Sequence, residues 1–143
     1  MSTPACVLDT HAWTLLVSAP DRLPARARRV AARSDMRLVP AICMWELALL
    51  HQAGRWTLTD PDDTLHRWMA TATADPQGVA PLTADIAIAA AGLDDEGFHR
   101  DPADRLIYAT ARMLDAPLIT RDAGIHRFEA DLPRRARRLA VWA

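Results

Sequence analysis

The sequence predicts an α/β fold in which helices cover both faces of a parallel sheet. Short apolar runs of strand length alternate along the chain with longer segments of helical spacing. With 143 residues the chain is long enough for one domain with a sizeable core and too short for two, so we expect a single domain over residues 1–143. Hydrophobic residues make up 50% and charged residues 24%, a balance that is typical of a globular protein and excludes a disordered one.

The first part of the chain begins with a strand. The apolar run 5–8 has the composition of a buried central strand, and it ends at Asp9. The elements that follow are predicted from apolar spacing and from residues that favour helix ends. They are a helix through 12–17 that ends near Pro20, a helix from Pro24 to about Arg33, a strand over 36–39, a helix over 42–52 that stops at Gly54, and a helix that Asp60-Pro61 opens as cap and first-turn proline.

The second part repeats the alternation. We expect a short strand over 79–82, an alanine-rich helix that begins at Thr83 and stops at Gly92, and a polar loop over 94–100. A strong helix then starts at Asp101-Pro102 and runs through Leu114. The remaining elements are a strand over 117–120, a short helix to about Glu129 and a final strand over 139–142. In a parallel sheet of this kind, functional sites lie outside the carboxyl ends of the strands.

Composition excludes several chemistries. All 17 basic residues are arginine, so the chain has neither a Schiff-base lysine nor a phosphate-loop lysine. A phosphoaspartate receiver or a haloacid-dehalogenase-type phosphatase also needs a lysine beside its aspartates, and both interpretations are therefore disfavoured. The formal net charge of -1 means that any contact with nucleic acid must come from local arginine clusters.

The two cysteines favour a reducing compartment. Cys6 and Cys43 have no C-x-x-C spacing, and each lies in an apolar segment where cysteine behaves as a small buried hydrophobe. No apolar run reaches the ~18 residues of a membrane span, and the first residues do not have the pattern of an export signal. We therefore expect a soluble cytoplasmic protein.

Four acidic residues are distinguished by their positions. Asp9 and Asp122 directly follow predicted strands, so the fold alone brings them to the same edge of the sheet. Glu46 is the only charged residue in the apolar run 42–50, where a carboxylate needs a partner or a metal ion. Asp104 lies in the first turn of the helix that starts at Asp101-Pro102.

The same residues lie in motifs that resemble a known family. The motifs are Leu8-Asp9-Thr10-His11-Ala12-Trp13, Trp45-Glu46-Leu47-Ala48, His99-Arg100-Asp101-Pro102-Ala103-Asp104-Arg105-Leu106-Ile107 and Leu118-Ile119-Thr120-Arg121-Asp122. In order and spacing the chain resembles the PIN-domain endoribonucleases, and specifically the VapC toxins of bacterial type II toxin-antitoxin modules, over nearly its whole length. The resemblance implies a three-layer α/β/α fold with a mostly parallel central sheet. It also implies a magnesium-dependent acid cluster that cuts RNA, formed here by Asp9, Glu46, Asp104 and Asp122.

Electrostatic repulsion explains why such a cluster of acids would bind a metal ion. Two carboxylates about 5 Å apart repel by roughly 3 kcal/mol at an effective dielectric constant of 20, so four that converge need a cation. Oxygen ligands without a histidine or cysteine pair favour Mg2+, with Mn2+ possible, and disfavour zinc. By resemblance, the partners are an RNA substrate, a cognate VapB-like antitoxin and a second copy of the chain in a homodimer.

Each candidate also has an ordinary structural interpretation. Asp104 could serve only the helix dipole, Glu46 could be a solvated helix residue, and Asp122 could cap the following helix, alone or while it contacts a metal ion through water. Thr10 and Thr120 are candidate hydroxyls beside the acids. His11 is given no catalytic part. The other histidines are interpreted as surface or loop residues: His51, His66, His99 and His126.

Arginines could bring RNA to the acidic site. The candidates are the cluster over 134–138 and, better placed beside the acids, Arg100, Arg105 and Arg121, although each of these could simply pair with a carboxylate. Two alternative functions stay open at this point. One is an RNA-processing nuclease outside a toxin-antitoxin module, and the other is a non-catalytic PIN-fold binding module.

Overall fold

The computed structural model describes residues 3–143, and in that range it contains one five-stranded sheet whose strands are all parallel. The spatial order of the strands is β3-β2-β1-β4-β5. The strands are β1 Thr3–Leu8, β2 Ser34–Pro40, β3 Gln77–Ala80, β4 Leu118–Ile119 and β5 Ala140–Val141. This arrangement confirms the predicted α/β class and its parallel sheet.

Seven α-helices flank the sheet in the described part of the chain. They are α1 Thr10–Ser18, α2 Ala25–Arg33, α3 Ala41–Gln52, α4 Leu65–Ala72, α5 Ala84–Gly92, α6 Pro102–Leu114 and α7 Ala123–Ala130. Helices α3 and α6 pack on each other and on β2, and α2 packs on β1, β2 and β4. Short 3-10 helices lie at Pro20–Arg22 and Leu93–Glu96. Among residues 3–143, no helix is long and apolar enough to cross a membrane.

The centre of the sheet, where β1 and β4 pair, is fully buried. Cys6, Val7 and Leu8 of β1 are fully buried, as are Leu118 and Ile119 of β4, which pair with Val7 and Leu8. A parallel strand covered on both faces has this continuous apolar run, because neither side of it meets water. The buried free thiol of Cys6 also agrees with the interpretation of the cysteines as small apolar residues.

The side on which successive strands are added to the sheet changes at β1. Strands β2 and β3 are added on one side of β1, and β4 and β5 are added on the other. The loops that leave β1 and β4 therefore diverge and open a crevice at their carboxyl ends, which is where ligands bind in open parallel sheets. Asp9 directly follows β1, and Thr120 to Asp122 directly follow β4.

Two of the boundaries that differ from the prediction have a clear local cause. Helix α4 begins at Leu65 and not at Asp60-Pro61, because the Asp60 side chain accepts a hydrogen bond from the Asp62 amide and closes a turn there. The helix is capped by Thr64, whose hydroxyl accepts from the Arg67 amide at 3.2 Å. Strand β3 ends at Ala80, before the predicted Leu82, because Pro81 has no amide to donate to the neighbouring strand.

A buried carboxylate joins α7 to the last strand. Glu129 is only 3% exposed and accepts three hydrogen bonds, from the Tyr108 hydroxyl at 2.8 Å and from the amides of Leu139 and Ala140 at 2.7 and 2.9 Å. Burial, followed by the hydrogen bond to Glu129, raises the pKa of Tyr108, which stays a neutral donor. Glu129 therefore fixes the entry into β5, in addition to the ladder hydrogen bond that the Leu118 amide donates to the Leu139 carbonyl at 2.8 Å.

Replacement of Glu129 by alanine should lower the free energy of unfolding by about 3 kcal/mol, because three buried donors lose their acceptor at once. Chemical denaturation measures the effect. The matched control is Glu96→Ala, which removes an exposed carboxylate paired with Arg112 and should cost less than about 1 kcal/mol. Equal effects of the two substitutions would contradict the role assigned to Glu129.

Candidate metal centre

Asp9 is fixed at the carboxyl end of β1 because it caps α1. Its backbone is extended, and its Oδ1 accepts a hydrogen bond from the Ala12 amide at 2.8 Å. Burial, to which the charges of Asp104 and Asp122 add, raises the pKa of Asp9 to about 6, against hydrogen bonds from Thr120 and Ala12 that lower it. The ionised form of Asp9 is therefore costly in the metal-free protein.

Glu46 points from α3 towards the same region. It is half-buried, and its Oε1 accepts a hydrogen bond from the Thr10 hydroxyl at 2.8 Å. Burial raises the pKa of Glu46, and so do the charges of Asp104, Asp101 and Asp9, while the Thr10 hydrogen bond lowers it. The alternative of a freely solvated helix residue is therefore wrong, and Thr10 is one of the expected hydroxyls beside the acids.

Two aspartates at the start of α6 differ in their hydrogen bonds to the helix. Asp101 is the N-cap, and its Oδ1 accepts from the amides of Ala103 at 2.9 Å and Asp104 at 3.2 Å. Asp104 is at the third position of the helix, is half-buried, and leaves its own side chain free of the helix amides. Burial is the main cause that raises the pKa of Asp104, followed by the charges of Asp122 and Asp101.

Asp122 caps a helix and also lies beside the other candidate acids. Its Oδ1 accepts from the Ile125 amide at 2.9 Å, so it caps α7. The same Oδ1 lies 3.9 Å from Nε2 of His99, at the edge of the acidic region. The cap therefore fixes the carboxylate beside the other acids and does not remove it from them.

These side chains lie together at the switch point of the sheet. One ligand atom each from His99, Asp104 and Asp122 can be chosen so that the three atoms lie within 4.8 Å of one another. Asp9 and Glu46 lie around this group, close enough that each carboxylate raises the pKa of another. The group with metal-ligand spacing thus contains Asp104 and Asp122 with His99, and Asp9, which follows β1, and Glu46 of α3 lie near it.

The residues present fit a divalent cation. Carboxylate oxygens are the ligands that Mg2+ and Mn2+ take, and burial with mutual repulsion makes this set unfavourable without a positive charge. The arrangement differs from the expected one by a histidine. His99, interpreted from the sequence as a surface or loop residue, lies in a loop but touches the acids, with Nε2 2.8 Å from Asp104 Oδ2.

The arginines singled out by the sequence fall into three groups. Arg105 donates to the backbone oxygens of His99 and Phe98 and pairs with Asp94, so it supports the loop before α6. Arg100 and Arg121 are exposed beside the acids. In the 134–138 cluster, Arg137 pairs with Asp115, and Arg138 donates to backbone oxygens of the 132–136 segment.

An apolar groove begins at the acids. A cavity of about 960 Å³ runs between α1, α3 and α6, with Thr10, Glu46 and Asp101 at its polar end. Its walls are mainly apolar: Ile42, Trp45, Leu47, Leu49, Leu50, Trp56 and Leu106. Trp45 and Leu49 are 56% and 42% exposed, which is unusual for large apolar side chains and typical of a surface that binds a partner.

Comparison with known proteins identifies the family. The model of the PIN domain family matches residues 6–131. The chain is also 32% identical over 136 residues to Ribonuclease VapC22 of Mycobacterium tuberculosis (strain ATCC 25618 / H37Rv), with 95% of this chain and 97% of the relative covered. The chain belongs to the PIN-domain family of VapC proteins.

Solved structures give the same fold for this VapC-family chain. A toxin-antitoxin complex from Klebsiella pneumoniae matches with a TM-score of 0.60 and 19% identity, and 95% of each chain is covered. VapBC-1 from nontypeable Haemophilus influenzae matches with a TM-score of 0.58 and 18% identity over 90% of this chain and 94% of that chain. At these identities the likeness is one of fold, and it agrees with the three-layer α/β/α architecture that the sequence predicts.

Substitutions at Asp101 and Asp104 should separate the cap from the acidic site of this VapC-family chain. Asp101→Ala should lower the free energy of unfolding by about 1 kcal/mol, the usual cost of a lost cap, and leave metal binding nearly intact. The nearly isosteric Asp104→Asn should weaken Mg2+ binding and stabilise the metal-free protein, because it removes one of the repelling charges. Melting temperatures with and without Mg2+, together with calorimetric titration, measure both effects.

The reverse pattern would overturn the assignment. If Asp104→Asn bound Mg2+ normally while a folded Asp101→Ala did not, Asp101 would be the acid that faces the ion. If both variants lost stability but kept their metal affinity, neither Asp101 nor Asp104 would be part of the metal site.

Proposed function

We propose that this chain is a divalent-metal-dependent endoribonuclease that acts as a toxin and is inhibited by a cognate antitoxin. The proposal is supported by the group of His99, Asp104 and Asp122 at the carboxyl edge of a PIN-domain sheet, with Asp9 and Glu46 near enough that the charges of neighbouring acids raise the pKa of each. The relative named Ribonuclease VapC22, 32% identical over almost the whole chain, supports the same activity.

The four carboxylates would hold the cation, Mg2+ in the first place and Mn2+ as the alternative. When bound, the ion supplies positive charge that offsets the charge developing on the phosphate and the leaving oxygen. Asp9 and Asp122 are oriented before substrate arrives, because a helix cap fixes one oxygen of each. The Thr10 hydroxyl orients Glu46 in the same way.

The protein's own acids also suit proton transfer. The pKa values of Asp9, Glu46 and Asp104 are all raised, so each ionised group is a stronger base than an ordinary carboxylate. One of them would take the proton of the water that attacks the phosphodiester. Arg100 and Arg121, exposed beside the acids, would contact neighbouring phosphates and offset the acidic field that repels RNA.

The presence of all four acids argues against a non-catalytic binding module. Such a module has no need to maintain a set of carboxylates whose burial is unfavourable. An RNA-processing nuclease outside a toxin-antitoxin module would use the same chemistry, so the antitoxin distinguishes the two. The groove favours a partner, because its apolar wall ends at carboxylates that an arginine or lysine of an inhibitor would pair with.

The proposal extends to organisation and location. A single domain over residues 1–143 is supported by β5, which lies beyond the matched 6–131 segment and pairs with β4 in the same sheet. Cytoplasmic action is supported by the free buried thiols of Cys6 and Cys43. The homodimer stays a prediction, and the exposed apolar side chain of Ile88 on α5 is a candidate contact for it.

The enzymatic part is tested by metal-dependent RNA cleavage. Mg2+ and Mn2+ should raise the melting temperature, because the ion binds only the folded site, and the purified chain should cut RNA in their presence. Sequencing of the new RNA ends measures cleavage and its position. Asp9→Asn and Glu46→Gln should remove cleavage in folded protein, while the exposed control Asp85→Asn should cut normally.

Two results would contradict the metal mechanism. One is a melting temperature that no divalent ion changes. The other is cleavage that continues in EDTA at the rate seen with Mg2+. Cleavage that survives in both site variants would remove the acids from the chemistry.

The antitoxin part is tested by co-expression with any small reading frame that adjoins the gene for this chain. Expression of the chain alone should stop growth, and the neighbouring product should restore growth and copurify with the chain. Hydrogen exchange should then show protection along α3 and α6, which line the groove. Leu49→Arg should weaken the complex at least tenfold while RNA cleavage continues, and growth arrest that the neighbouring gene leaves unchanged would contradict the toxin-antitoxin assignment.

A further inference from the structure

His99 contacts the acidic site but is not one of the four predicted acids. We infer that His99 is a positioning residue for the metal centre: its Nε2–H donates to Asp104 and orients that carboxylate, and it is not itself a metal ligand. The inference rests on the proposed metal-dependent function. It concerns how the site is built and not which reaction it performs.

The contact geometry supports a direct hydrogen bond. Nε2 of His99 is 2.8 Å from Oδ2 of Asp104 and 3.9 Å from Oδ1 of Asp122, so one short contact is formed and the second is outside hydrogen-bond range. If Nε2 carries the proton, Oδ2 of Asp104 is occupied by the donor. The other oxygen of Asp104 accepts no hydrogen bond from the residues that the structure describes, so it is free for a cation.

The surroundings of Nδ1, the other ring nitrogen, indicate whether Nε2 of His99 donates a hydrogen bond or ligates a metal ion. Nδ1 of His99 is buried and has no hydrogen-bond partner among the residues the structure describes. If Nε2 ligated a metal ion, Nδ1 would carry the proton, and a buried N–H without an acceptor is among the rarest features of folded proteins. Histidines that ligate metals almost always donate their other N–H to an acceptor, and none is present here within the described chain.

The surroundings of Nδ1 agree with an unprotonated nitrogen. A Cβ built on Gly124 would lie 3.0 Å from both Nδ1 and Cε1 of His99 and 3.0 Å from Oδ1 of Asp122. The bare Cα of Gly124 therefore closes this side of the ring, where a methyl group would not fit without a shift. A carbon next to a lone pair is tolerated, whereas a carbon next to an N–H leaves that donor unpaired.

The ring is held from two further directions. It stacks on Phe98, with ring centroids 4.4 Å apart and planes inclined by 21°, and Phe98 is itself buried against Tyr108 and Phe128. The Arg105 guanidinium donates to the backbone oxygen of His99 at 2.8 Å. A ring fixed by stacking, by its backbone and by Gly124 can hold Asp104 in one orientation.

The tautomer can be measured in the wild-type protein without any substitution. Long-range proton–nitrogen NMR spectra of histidine-labelled protein should show a proton on Nε2 of His99 and none on Nδ1, both without metal and with saturating Mg2+, which is diamagnetic. A proton on Nδ1 with Nε2 unprotonated in the Mg2+ form would make His99 a ligand and overturn the inference.

Substitutions test the same point through metal selectivity. His99→Gln can place an amide N–H near the position of Nε2, so Mg2+ and Mn2+ affinities should stay within about threefold of wild type. His99→Ala and the shorter His99→Asn should weaken both ions by about ten- to a hundredfold and by the same factor, as is usual for the loss of a group that orients a ligand. The exposed control His66→Gln should change neither affinity.

The outcomes separate this inference from the proposed function. A nitrogen ligand favours Mn2+ over Mg2+, so a Mn2+ affinity that falls at least tenfold more than Mg2+ in the His99 variants would overturn the donor role. Unchanged affinities in a folded His99→Ala would overturn any role of His99 in the site. Wild-type protein that binds neither ion would instead remove the metal-dependent function on which the inference rests.

Discussion

The site depends on the repulsion between carboxylates that the fold forces together. Strands β1 and β4 deliver Asp9 and Asp122 to one edge of the sheet, and α3 and α6 add Glu46 and Asp104. Two carboxylates about 5 Å apart repel by roughly 3 kcal/mol at an effective dielectric constant of 20. Burial is the first cause of the raised pKa values of Asp9, Glu46 and Asp104, and the charges of neighbouring acids add to it, so a divalent cation would make the ionised set more favourable.

Helix N-termini limit how unfavourable the site becomes. Asp9 and Asp122 cap α1 and α7, and Asp104 lies in the first turn of α6, so three helices direct the positive ends of their dipoles towards the acids. Burial still dominates, because it is the largest cause of each raised pKa. The helices thus keep the carboxylates together in a folded protein without supplying the full positive charge that they need.

Sequence reasoning predicts the parts of this arrangement that local chemistry fixes. An apolar run that ends in an acid locates Asp9, and Asp101-Pro102 locates both the cap of α6 and, one turn later, Asp104. It is wrong about Asp60-Pro61, where the same cap-and-proline pattern closes a turn and α4 starts four residues further on. Capping residues and turn residues are the same types, so the pattern alone does not separate the two structures.

Contacts between residues far apart in the chain could not be predicted from the sequence. Glu129 and His99 have no local pattern that marks them, and their roles depend on Tyr108 and on Asp104 and Gly124. A signal was nevertheless present for His99, since it lies inside the motif that contains Asp101 and Asp104. Its interpretation as a surface or loop residue rested on residue type and neglected that proximity.

The number of hydrogen-bond donors separates the structural acid from those of the site. Glu129 accepts three short hydrogen bonds from a hydroxyl and two amides, and so many donors stabilise a buried carboxylate without a cation. Glu46 accepts one from Thr10, and Asp104 accepts one from His99. A half-buried acid with one donor and acidic neighbours lacks that compensation, so Glu129 is satisfied by its own chain, whereas Glu46 and Asp104 of the candidate site are not.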